Sequence, residues 1–228
     1  MRNPSFENDE IYHVYNRGVE KRNVFQDAGD HNRFIHHLYE FNDEQKVLNL
    51  SYRLSNSSES IPSGKRVQLV RILAFTLMPN HFHLLLQQNE EGGISKFMQK
   101  LGTGYTMFFN DKNTRSGALF QGKFKAVHVA SDTQLRYVLQ YIHLNPLSLC
   151  EESSDQNQRI QFLKEYKWSS LPDYVGLRGF PSVTSRTSML DLFGGMSAYE
   201  KSLVQAMNYK TFPDGVDPAT LLDLKQPH

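Results

Sequence analysis

The chain has 228 residues, of which 39% are hydrophobic and 12% aromatic: enough apolar material for one substantial domain, and too much for a disordered tail. No apolar run approaches a membrane span, and the polar start MRNPSFENDE lacks the apolar core of a signal peptide, so a soluble cytoplasmic protein with no membrane partner is expected. The single cysteine, Cys150, excludes an internal disulfide framework and a cysteine-rich zinc module. The net charge of +1 conceals a basic middle: residues 65–125 carry nine basic against three acidic residues, whereas the chain after residue 150 carries eight against ten. Such a segment suits a polyanion, because lysine and arginine release phosphate counterions on binding. Solvated helix faces account for the same charges equally well.

Residues 10–16 (EIYHVYN) alternate and are β-prone, and Arg17-Gly18 ends that strand. Phe34, Ile35, Leu38 and Phe41 mark an amphipathic helix over 30–41. Residues 42–65 turn polar and lose periodicity, which predicts an exposed loop or insertion. The Val, Ile and Leu content of 66–77 predicts a central strand; Met78-Pro79-Asn80 makes a tight turn into a second strand over 81–88. Gly92-Gly93 precedes a helix over 94–110, with Ser95 as its expected N-cap. After a turn at 112–117, residues 119–129 read as a strand with interleaved aromatic and basic residues. Ser131 can cap a last helix that runs to Asn145 and is ended by Pro146.

Strand, helix, strand, strand, helix, strand is the order of an α+β, ferredoxin-like (RRM-like) sandwich with a central antiparallel sheet and added helices. The domain is expected over 1–150, with the polar insertion at about 42–65. Residues 151–228 form a C-terminal extension, mostly loop and short helices, with Gly194-Gly195 as a hinge; its part from 183 onward carries no functional signal.

Two constellations carry chemistry. In His81-Phe82-His83 strand alternation sends both imidazoles to one face and Phe82, Leu84 and Leu86 to the other. Two neutral ring nitrogens on one face can hold a divalent metal, although such a pair is more often hydrogen-bonded within a fold. On the helix before Pro146, Tyr137, Tyr141 and Asn145 stand four apart and share a face. A tyrosine is a usable nucleophile only when its pKa of about 10 is offset by a nearby cation or base. Aromatic residues at this spacing usually pack a core. His143 lies off the face, as a structural or a DNA-facing residue.

Together, MPNHFHLLL (78–86) and YIHLNP (141–146) resemble the HUH single-tyrosine transposases, the insertion-sequence-200-like family. YHVYNRG (12–18), FQGKFK (120–125) and WSS (168–170) resemble in particular its REP-associated tyrosine transposase branch, and the likeness spans 11–174. The resemblance implies a ferredoxin-like nuclease and strand transferase that cuts and rejoins single-stranded DNA at hairpins through a 5′-phosphotyrosine, with Mg2+ or Mn2+. By position it makes His81 and His83 metal ligands, Tyr141 the nucleophile and Asn145 the third ligand; Tyr137 matches no family nucleophile and is read as structural or as a DNA contact. Imidazoles favour zinc or manganese, whereas an amide oxygen and phosphates tolerate magnesium, so the residues alone do not choose. A helix-borne tyrosine is also expected to swing between cleaved and joined strands. Past Pro146 the sequence departs from the family's small residues, with Leu147-Ser148-Leu149 instead.

Arg17, Lys96, Lys100, Lys123 and Lys125 are the expected DNA-backbone contacts, and Phe120, Phe124 or Tyr105 could stack on bases or fill the core. Strand exchange between two DNA ends favours a homodimer, and action on one hairpin a monomer; a DNA enzyme of this kind would associate with the nucleoid. Two competing readings keep the fold: a non-catalytic hairpin or single-strand binding protein, and a metal phosphodiesterase using water with Tyr141 as bystander.

Overall fold

The computed structural model describes residues 4–45, 66–180 and 182–208. Its elements in chain order are β1 (Ile11–Arg17), α1 (Ala28–Glu40), β2 (Val70–Met78), β3 (His81–Gln88), α2 (Gly93–Lys112), β4 (Lys125–His128) and α3 (Asp132–Leu144). Four further helices follow: α4 (Gln156–Glu165), α5 (Leu171–Tyr174), α6 (Thr187–Phe193) and α7 (Met196–Asn208). The sheet order is β2-β3-β1-β4, with every pair antiparallel, so the ferredoxin-like α+β expectation holds.

Strand alternation divides the sheet into two faces. Tyr12, Val14, Phe82, Leu84 and Leu86 bury against α1 and α2 through Phe34, Leu38, Phe97, Leu101 and Tyr105. The opposite face packs Leu73, Ala74 and Leu85 against Leu135, Val138, Leu139 and Ile142 of α3 and against Tyr174, Met189, Tyr199 and Leu203 of the later helices. A bulge between Ile72 and Ala74 in β2 resets the alternation, so that Leu73 and Ala74 both serve the α3 side. Phe75 then returns to the α1–α2 core, and Thr76 faces α3, where its Oγ1–H donates to the carbonyl of Ile142 at 2.7 Å.

Residues beyond 150 cover the outer edge of β2, which would otherwise present open backbone groups. Leu77 N–H donates to Trp168 O, Ser170 N–H to Phe75 O and Ser185 N–H to Ile72 O, each at 2.8–2.9 Å. Tyr174 Oη–H adds a bond to Leu73 O at 2.6 Å. Gly194 and Gly195, with φ of 83° and 102°, make the turn between α6 and α7.

Four local expectations change. The N-cap of α2 is Gly92 in the left-handed region at φ 68°, not Ser95, which sits inside the first turn. The strand expected over 119–129 is confined to Lys125–His128. Gly117 and Gly122 take positive φ, and the chain between them turns Phe120 into the core, where it bridges to Gly18. Pro146 does not stop the helical path outright: α3 ends at Leu144, and Asn145–Leu149 continue as a 3-10 turn. Asn42 is a buried anchor rather than part of an exposed loop, its amide exchanging hydrogen bonds with both backbone groups of Val70. Most of the polar insertion (46–65) and the tail beyond 208 lie outside the described residues.

Two glycines of α2 give a paired test. A Cβ at Gly93 would collide with the Leu69 carbonyl oxygen, whereas one at Gly102 would meet open space. Gly93→Ala is expected to destabilise the fold by about 1–3 kcal/mol through that overlap. Gly102→Ala should stabilise it by up to about 1 kcal/mol through helix propensity. Urea unfolding of both variants checks the pair, and equal effects would contradict the packing of α2 on β2.

Candidate active site

The site forms where β3, held between β1 and β2, faces the last turns of α3. His81 and His83 point to the α3 face, with ring centroids 5.1 Å apart and planes at 90°. His83 is fully buried, and its Nδ1 lies 2.8 Å from His13 Nε2, with the two rings stacked at 5.0 Å. Its other nitrogen, Nε2, has no hydrogen-bond partner among the described residues. His81 Nδ1 is 2.6 Å from Asn80 Oδ1, and its Nε2 is 3.3 Å from Asn145 Oδ1. A neutral imidazole carries one proton and cannot donate to two amide oxygens. The shorter bond takes that proton to Asn80, so the His81 Nε2 lone pair faces the Asn145 oxygen.

Burial keeps these rings neutral. It lowers His81 to about 4, with the Asn145 hydrogen bond acting the other way and Arg17 adding to the fall. Burial lowers His13 to about 3, and it takes His83 well below the ordinary histidine range, helped by repulsion from His13 and His81. Neutral imidazole is the ligating form, because a proton would occupy the lone pair. His81 Nε2 and Asn145 Oδ1 are therefore acceptor atoms suited to one divalent cation, and His83 Nε2 is a third in the tautomer that is protonated at Nδ1. Among the described residues no group of three or more His, Cys, Asp and Glu could hold a metal, so a cation here would depend on the amide of Asn145 and on oxygens of a substrate.

The helix supplies the nucleophile candidate. Ser131 caps α3 by accepting from Gln134 N–H, as its sequence predicts. The Tyr141 ring meets His83 edge-on at 5.4 Å and His13 at 6.0 Å, and Tyr137 stacks on Tyr141 at 6.4 Å. Burial raises the Tyr141 phenol above its ordinary value, and its hydrogen bond with Asn145 partly offsets this. The phenol is thus neutral near pH 7.

The turn that carries Tyr141 is fixed on both sides. Ile142 O accepts from Thr76, and the buried His143 joins Tyr199 Oη at 2.6 Å and Ser170 Oγ at 2.7 Å. Ser170 Oγ in turn accepts from Phe75 N–H at 2.9 Å. His143 is accordingly structural and does not face DNA.

The expected DNA contacts separate into groups. Arg17 stands directly opposite His81 in the β1–β3 ladder, and Lys125 opposes Tyr15, which opposes His83, so both cations share the face of the site. Arg17 Nε–H donates to Gln121 Oε1 at 2.6 Å, which ties the segment bearing the exposed Lys123 beside it. The structure does not bring Lys96 and Lys100 to the site. They ride on α2, on the opposite side of the sheet, and the Lys100 ammonium donates to the carbonyls of Asp43, Glu44 and Gln45. Tyr105 and Phe120 are core, the former donating to Val24 O at 2.6 Å, and Phe124 packs partly buried against the same cluster. Sequence reasoning assigned no role to His13. Its signal was the alternation of β1, which sets His13 on the face opposite Tyr12 and Val14.

The sequence model of the family described as "Transposase IS200 like" matches residues 34–145, a span that includes His81, His83, Tyr141 and Asn145. No curated protein matches the chain. Among solved structures, a REP-associated tyrosine transposase bound to a REP hairpin superposes with a TM-score of 0.50 at 11% identity, over 82% of this chain and 94% of that one. At that identity the likeness establishes the fold. A candidate transposase from Deinococcus radiodurans R1 covers 62% of this chain and 95% of its own at 15% identity, and its TM-score of 0.35 is too low to add to the comparison.

Buried neutral histidines couple stability to pH. In the folded chain His13, His81 and His143 titrate at about 3 to 4, against 6.5 for the ordinary side chain. The unfolded state therefore binds protons that the native state refuses, and stability present above pH 6.5 is lost as pH falls toward 4. Each such ring contributes a slope of up to about 1.4 kcal/mol per pH unit in that window. Urea unfolding at pH 7, 6 and 5 should show the loss; a flat profile would contradict neutral burial.

Proposed function

From its membership of the IS200-like transposase family, we propose that this chain cleaves and rejoins single-stranded DNA at hairpin sites through a 5′-phosphotyrosine on Tyr141. The observation that carries the proposal is the meeting of His81, His83, Tyr141 and Asn145, which come from a strand and a helix about sixty residues apart in sequence. His81, His83 and Asn145 would hold Mg2+ or Mn2+, which when bound supplies Lewis-acid stabilisation of charge on the scissile phosphate. The chain's own groups do the rest. Tyr141 Oη attacks phosphorus, the bond from phosphorus to the 3′ oxygen breaks, and the departing 3′ oxygen takes up a proton as the phenol loses one. The reverse attack by a 3′-hydroxyl rejoins the strand and frees Tyr141, so no nucleotide is consumed.

Arg17 and Lys125 are the cations best placed to receive the DNA backbone, because they share the face of the site. The hairpin as substrate, and the REP-associated branch, rest on the sequence motifs and on the fold shared with the REP-hairpin complex. Among the described residues no helix is long and apolar enough to cross a membrane.

The covalent step is tested with labelled hairpin DNA from the gene's flanks, Mn2+, and a denaturing gel. A shifted protein–DNA band should form with the native chain and with Tyr137→Phe, and should fall to background in Tyr141→Phe or without metal. Cleavage that persists in Tyr141→Phe without an adduct would transfer the chemistry to water. Binding without cleavage on any flanking hairpin would favour a binding protein of the same fold.

DNA contacts are tested by affinity against salt. Arg17→Ala and Lys125→Ala should each weaken hairpin binding and lower the salt slope by about one. Lys100→Ala should leave the slope unchanged, and a Lys100 effect equal to that of Arg17 would place the DNA on the wrong face of this assignment.

A further inference from the structure

His13 is a costly residue for the place it occupies. It is buried in the centre of the sheet, stacked on His83 and edge-on to Tyr141, and its Nδ1 has no hydrogen-bond partner among the described residues. An apolar side chain would fill this position without desolvating two ring nitrogens. Among the described residues its single side-chain hydrogen bond is the 2.8 Å bond to His83 Nδ1.

That bond admits two proton arrangements. If His13 Nε2–H donates, the proton of neutral His83 must sit on Nε2, which then offers an N–H and repels a cation. If His83 Nδ1–H donates, Nε2 keeps its lone pair and can ligate. Either arrangement leaves one buried N–H and one buried lone pair unmatched in the pair, so hydrogen-bond satisfaction alone does not choose. The ligating role of His83 does, since it needs the lone pair at Nε2. A ligating histidine commonly donates its second ring nitrogen to an outer partner that fixes its tautomer and orientation. That partner is usually a carboxylate or a carbonyl, and here a second imidazole stands in its place.

We propose that His13 is a positioning residue for the metal site: it accepts the hydrogen bond from His83 Nδ1–H and thereby holds His83 in the tautomer whose Nε2 can bind the cation. The proposal rests on the metal-site reading given above and extends it to a residue outside the ligand set. It also gives β1 a part in the site, because the pairing of β1 with β3 sets the His13–His83 distance.

Two measurements on the full chain test it. Nitrogen-15 NMR of the metal-free protein should show His83 protonated at Nδ1, and a proton found on Nε2 would overturn the proposal. Mn2+ titration, followed by electron paramagnetic resonance, should show affinity reduced about 10- to 100-fold in His13→Phe, which removes the acceptor. His13→Gln, which restores an acceptor oxygen, should recover most of the loss. Unchanged affinity in a folded His13→Phe, or equal losses in both variants, would reduce His13 to a packing residue. Should the phenylalanine variant fail to fold, the NMR tautomer still decides. Absence of Mn2+ binding by the native chain alongside an Nδ1-protonated His83 would sink the metal reading while leaving the His13–His83 bond as assigned.

Discussion

The site depends on β3 having two faces and no freedom to slip. It is paired along both edges, with β1 on one side and β2 on the other, and each of its side chains is committed by strand alternation. Phe82, Leu84 and Leu86 are buried against α1 and α2, so His81 and His83 have only the α3 face to occupy. A shift of one residue would exchange the two sets, turning three large apolar side chains toward α3 and driving the two imidazoles into the α1–α2 core. Registry of the histidines is therefore enforced by the apolar residues between and beyond them, and the same burial that fixes their direction keeps them neutral.

The second half of the site is held by residues that have no chemistry of their own. The bulge in β2 turns Thr76 toward Ile142, and His143 reaches Tyr199 and Ser170 from the same turn of α3. Through Ser170 this network returns to the backbone of Phe75, so β2, α3, α5 and α7 share one buried set of hydrogen bonds. The helices after residue 150 thus help to place Tyr141, which packs against the same buried cluster.

Much of this was legible in the sequence, for physical reasons that also mark its limits. Strand alternation and helical spacing depend on local geometry, so the faces of His81, His83, Tyr141 and Asn145 could be read directly. The partnership of His13 with His83 could not, because the pairing of β1 with β3 joins residues 70 positions apart and no local pattern encodes that register. The same gap explains the lysines: charge along the chain is visible, but Lys96 and Lys100 belong to a helix whose side of the sheet is decided by the topology. Ser95 failed as a cap because Gly92 can take a left-handed conformation and cap the helix three residues sooner. The strand expected over 119–129 shortened because Phe120 gains more from the core than from extended pairing.

The hydrogen bonds around residues 142 and 143 bear on how Tyr141 can move. Swinging the end of α3 as a unit, or lending it to a second copy of the chain, would break the Thr76–Ile142 bond and withdraw His143 from Tyr199 and Ser170 together. Buried polar groups released in this way cost about 1–3 kcal/mol each, before any loss of packing. Rotation about the torsions of the tyrosine side chain breaks none of them. The reach of Tyr141 without disturbing that network is then the reach of one phenol on a fixed pivot.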